Sequence, residues 1–91
     1  MNRILLYVQN ERDIYGLKRW LVECVANRIK KGQQVSVEHL ANCSAMKQIT
    51  CASAKICRKY GEPFTMQDRK EAAVKIAESI IEDAKFIINE K

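Results

Sequence analysis

Three of the four cysteines lie between residues 43 and 57, and the one histidine, His39, stands four residues before the first of them. Thiols and an imidazole suit zinc ligation, thiol redox chemistry, or nucleophilic catalysis with a base. Spacing discriminates among these. Zinc ligands usually come as pairs of the form C-x2–4-C, whereas the intervals here run Cys24 to Cys43, Cys43 to Cys51 and Cys51 to Cys57, with no such pair. His39 and Cys43 share a helical face, but Cys57 lies ~21 Å beyond Cys43 at about 1.5 Å per residue. No single ion spans that distance, so no metal site is expected.

Disulfides fail by the same ruler. On one helix Cys43 and Cys51 are ~12 Å apart, beyond the roughly 7 Å limit between Cα atoms. Only a bridge between helices remains. If the first two helices run antiparallel about the turn at 32–35, Cys24 and Cys43 fall level with each other. The expected state is four free thiols, packed chiefly as small apolar groups. A catalytic Cys43 would need His39 as base and a third group to orient it. One helical turn separates the two residues, but no Asn or Asp is placed to complete the set. We therefore expect no catalytic residue, no cofactor and no enzyme activity, with His39 exposed in the first turn of a helix.

Two further patterns bear on binding. Lys47, Lys55, Arg58 and Lys59 fall on one side of the middle helix, and Arg12, Arg69 and Lys70 come at the same end of an antiparallel bundle. Clustered Lys and Arg without special spacing are what phosphate contact requires; a solvated helix face gives the same pattern. The stretch 36–57 also has partial helix-turn-helix character, with Lys47, Gln48, Thr50 and Lys55 as the groove-facing candidates. It departs from that motif at Ser44, where an apolar residue is usual, and at Ala45, where glycine is favoured. The second pattern is apolar. Phe86 projects on the charged side of its helix, and Trp20 lies on the flank of another. Either they pack against the Ile4–Val8 arm, or together with the arm residues Leu5, Leu6 and Tyr7 they form a protein interface. That second reading predicts a homo-oligomer or another protein partner.

The elements that carry these residues are helices. The 91-residue chain has three glycines and one proline, too few turn formers for a β fold. One domain, 1–91, is expected, since so short a chain builds one core. "KKGQQVS" places Gly32 as a helix stop and Ser36 as the next N-cap; "KYGEPFT" repeats this with Gly61 and Thr65. "TMQD" at 65–68 has capping-box form. Apolar periodicity then predicts three main helices, about 11–31, 37–60 and 66–89, in a small all-α bundle with a short N-terminal arm. The middle helix, with two apolar sides, is expected to be the sandwiched one. Residues 4–8 extend the first helix or run as a strand-like arm, and a break at 42–44 is the open question in the middle helix.

Charge is uneven. Sixteen Lys and Arg against eleven Asp and Glu give +5 overall. Residues 1–59 hold 11 cations and 4 acids, a net of +7, and residues 60–91 hold 5 and 7, a net of −2. The apolar run at the N-terminus, Ile4 to Val8, is shorter than the roughly 7–15 residues of a signal peptide, and no stretch approaches the ~18 apolar residues of a membrane span. No phosphate-binding glycine loop and no small-molecule site is evident. A cytoplasmic protein that does not engage membranes is the expectation.

The stretches "LLYVQNERDIY", "RIKKGQQVSVEHLA" and "DRKEAAVKIAESIIEDAKFI" make the chain resemble small uncharacterised proteins encoded by gut bacteria and their phages. That resemblance implies a phage or mobile-element accessory protein in a bacterial host cell. The function expected first is a helical protein-interaction or assembly module, and second a nucleic-acid-binding protein using the basic helix face.

Overall fold

The computed structural model describes residues 2–89, all of whose regular structure is helical: α1 Arg3–Asn10, α2 Arg12–Lys30, α3 Val37–Ala41, α4 Ser44–Lys59 and α5 Met66–Asn89. The all-α expectation holds, but the count of three main helices is corrected to five. The arm is itself a helix, and the middle helix is two helices.

Helix ends follow the local chemistry closely. Gly32 and Gly61 both have positive φ, 82° and 66°, a conformation that costs glycine nothing. Each sits one residue past a C-cap. Gln33 N–H donates to Arg28 O and Gly32 N–H to Ile29 O; Glu62 N–H donates to Cys57 O and Gly61 N–H to Arg58 O. These paired bonds satisfy carbonyls that a bare helix end would leave open. Ser36 Oγ accepts from His39 N–H at 3.1 Å. Thr65 and Asp68 form the reciprocal box: Asp68 N–H donates to Thr65 Oγ1 and Thr65 N–H donates to Asp68 Oδ2, both at 3.0 Å.

The break between α3 and α4 needs neither glycine nor proline. Cys43 is extended (φ −74°, ψ 161°), and its sulfur accepts from Met46 N–H at 3.4 Å. Asn42 turns its Nδ2 onto Glu38 O at 2.8 Å. Two polar side chains thus take over bonds that a continuous helix would have made with its own backbone.

The amphipathic α1 inserts Ile4 and Val8, both wholly buried, into the common core. An extended Glu11 then turns the chain into α2. Tyr7 and Asn2 pin this helix in place: the Tyr7 hydroxyl donates to Glu62 Oε2 at 2.7 Å, and Asn2 Nδ2 donates to Asp68 O at 2.8 Å. Every other helix touches α4, the main part of the expected middle helix, and every other helix likewise touches α5. Its buried stripe of Ala72, Ile76, Ala77, Ile80 and Ala84 has helical spacing with small residues interleaved, so neighbours approach from more than one side. At roughly 36 Å, α5 also sets the long dimension of the 43 × 23 × 21 Å molecule.

In α4 the buried arc is Met46, Ile49, Thr50, Ser53, Ala54 and Cys57. Both expected apolar sides meet the core, through Ile49 with Ala45, Ala52 and Ile56 on one and Ala54 with Cys57 on the other, but each has an exposed member. Cys51 is exposed, and Tyr60 is 61% exposed. The outward face of α4 carries Ser44, Lys47, Gln48, Cys51, Lys55, Arg58 and Lys59, all exposed.

Candidate nucleic-acid interface

Between Glu38 and Glu62 the chain has no acidic side chain, and α4 lies wholly within that stretch. Lys47, Cys51, Lys55 and Arg58 follow one another at intervals of four, four and three, which keeps them on one face. All four are exposed, as are Gln48 and Lys59. This stripe is about 17 Å long. Its cations have no neighbouring carboxylate on their own helix.

Lys47 also belongs to a groove of about 380 Å³ between α3–α4 and the first half of α5. Arg69 and Lys70 line the same groove, whose apolar lining includes Met66 and Val74. The structure thus joins Lys47 to Arg69 and Lys70 in one concavity. Lys55, Arg58 and Lys59 continue along α4 outside it.

Aromatic rings, not carboxylates, hold two of these cations. The Arg58 guanidinium lies 5.6 Å from the centre of the Phe64 ring, and Lys59 Nζ lies 5.8 Å from that of Tyr60. Tyr60 in turn stacks on Tyr7, with ring centroids 6.3 Å apart and planes at 21°. Phe64 and Tyr60 were not read from the sequence as parts of this surface. The signal was present in "KYGEPF", where the loop after a helix stop folds back along the helix it ends. Among the described residues the one ion pair is Arg3–Glu62, at 3.9 Å, so none of the six cations is matched by a carboxylate.

The residues expected to form an apolar interface are not brought together. Phe86, 64% exposed, lines a groove between α2 and α5 with Tyr15, Lys18, Arg19, Val22, Asp83 and Ile87. Trp20, 56% exposed, lies five residues from Tyr15 on another side of α2, by a cleft lined by α3 residues. Leu5 and Tyr7 pack on the core, with Leu6 half-buried beside them. Asn2 marks this end of the molecule at Asp68, and Phe86 is ~27 Å farther along α5. Phe86 therefore does not pack against the arm.

The sulfur and imidazole groups separate in the same way. Cys24, Cys43 and His39 line one cleft of about 220 Å³ with Trp20 and Leu40, between α2 and the α3–α4 junction. All four cysteines are free. No hydrogen bond joins His39 to Cys43, whose sulfur takes the Met46 amide instead. Among the described residues no three His, Cys, Asp or Glu side chains converge as metal ligands. Burial pushes the Cys57 thiol above its ordinary range. No described helix is long and apolar enough to cross a membrane.

Compared with known proteins, the sequence matches no family model, and no curated protein or solved structure matches it significantly.

Proposed function

We propose that this chain is a small non-enzymatic binding module whose partner is the phosphate backbone of a nucleic acid, engaged by the outward face of α4 and the adjoining groove. One observation carries the reading: Lys47, Lys55, Arg58, Lys59, Arg69 and Lys70 lie on α4 and its neighbour α5, and none has a carboxylate partner among the described residues. A solvated helix face ordinarily mixes both signs of charge, as α5 does. On α4 the acids are missing. Phosphates would supply the counter-charges that the fold does not.

Contact with the backbone is the extent of the proposal. α3 and α4 are two short helices joined by two residues, but Ala45 sits in the first turn of α4 rather than in the linking turn, so the helix-turn-helix register expected over 36–57 is displaced. Phosphate contacts position a protein without specifying sequence. A phage or mobile-element accessory role in a bacterial cell is the setting implied by the sequence resemblance.

Fluorescence anisotropy of a labelled duplex, titrated with protein at roughly 50 and 200 mM salt, tests the reading. Six phosphate contacts would lose on the order of a thousandfold in affinity across that range. Absence of binding at the lower salt overturns the proposal.

A further inference from the structure

The groove between α2 and α5 has two unlike walls. The α2 wall presents Tyr15, Lys18, Arg19 and Val22; the α5 wall presents Asp83, Phe86 and Ile87. Its volume is about 380 Å³. Phe86 and Tyr15 are 64% and 50% exposed, an aromatic pair left largely in water beside the half-buried Ile87. Water contact with aromatic surface is the state that docking relieves.

Charge selects the occupant. The lining cations, Lys18 and Arg19, stand on α2 and the lining carboxylate, Asp83, on α5. Lys18 Nζ is engaged by Ser79 Oγ at 3.1 Å, whereas Arg19 and Asp83 form no ion pair among the described residues. The whole chain's net charge of +5 opposes the meeting of two identical chains. Within the groove, with Lys18 engaged by Ser79, Arg19 on one wall and Asp83 on the other are left, among the described residues, as unpaired opposite charges. A two-fold axis through such a patch sets the α2 wall of one chain against the α5 wall of the other, and each contact then occurs twice.

We propose that this groove is the docking site for a second copy of the chain. In the resulting two-fold dimer, Phe86 of each protomer inserts against Tyr15 and Val22 of its partner, and Arg19 of each faces Asp83 of the other. The site is separate from the α4 face, so the dimer stands or falls independently of nucleic-acid binding.

Sedimentation velocity over a wide protein concentration range tests the dimer on the intact chain. Wild-type protein should sediment increasingly as a dimer. Phe86→Glu should weaken self-association about 30-fold or more, as loss of a central aromatic anchor does. All the substituted side chains are exposed, so folding is not at issue. Arg19→Asp and Asp83→Arg should each weaken the homodimer by placing like charges opposite one another. Mixed in equal amounts, the two variants should associate again, because each mixed pair restores opposite charges at both contacts. Wild-type protein that stays monomeric throughout overturns the inference. So does a dimer indifferent to Phe86→Glu, or a mixture of the charge variants that fails to associate.

Discussion

The Ser53 hydroxyl donates a 2.6 Å hydrogen bond to the carbonyl oxygen of Ile4, 49 residues away in sequence. Both residues are wholly buried. This bond is where α1 docks on α4, and the small side chain is what lets the two backbones come close. Ser53→Ala should cost about 1 kcal/mol, the usual net value of such a bond. Ser53→Leu should cost more, about 1–3 kcal/mol, by over-packing the contact. Urea unfolding of the variants measures both. A Ser53→Leu protein as stable as wild type would mean that α1 does not pack there.

The six cations should not be equivalent to other surface charge. Neutralising Lys47, Arg58 or Arg69 singly should lower the slope of log affinity against log salt by about one each. Lys30, exposed at the end of α2, is the control, since Lys30→Gln removes the same charge elsewhere. Equal losses at Lys30 and Arg58 in the anisotropy titration would show that net charge, not the α4 face, governs binding.

Tyr7 should titrate late. Its hydroxyl donates to the Glu62 carboxylate, which holds the phenol protonated and raises its pKa from 10.0 to about 12. The protonated form is favoured in the folded chain, so the stability this bond contributes is fully present below about pH 10. It is lost as pH rises through about 12. Ultraviolet titration should therefore show one of the three tyrosines ionising near pH 12, and Tyr7→Phe should remove that step. A titration that keeps the late step in Tyr7→Phe would assign it to another residue.

Thiol reactivity should rank by exposure. Cys51 is exposed, Cys24 and Cys43 are half-buried, and Cys57 is buried with a raised pKa. The thiolate is the reactive form, so alkylation followed by mass spectrometry at mildly alkaline pH should label Cys51 first and Cys57 last. Labelling of Cys57 should become fast only in denaturant. Prompt modification of Cys57 in the native protein would contradict its placement.

Helix ends were legible because they depend on neighbours in sequence. Gly32, Gly61, Ser36 and the pair Thr65–Asp68 each act within a few residues, and each stands where the chain's local chemistry puts it. The stripe of α5 was legible for the same reason: Ile76, Ala77, Ile80 and Ala84 share a face by helical spacing alone. The cations of α4 could be placed on one side by counting. Their lack of carboxylate partners could not, because that depends on which groups the fold brings near, as when Phe64 reaches Arg58 only after the loop has turned back.

What tertiary structure decided is where periodicity is silent. Residues 4–8 carry an apolar run compatible with strand or helix, and packing of Ile4 and Val8 beside Ser53 makes it a helix. The break at Asn42–Cys43 involves ordinary polar residues that compete with backbone bonds, a contest whose outcome depends on what the two halves then bury. Phe86 and Trp20 looked alike as exposed aromatics, yet they sit by different clefts. Sequence spacing gives a residue's direction around its own helix; the rotation of one helix against another is set by the core that all five share.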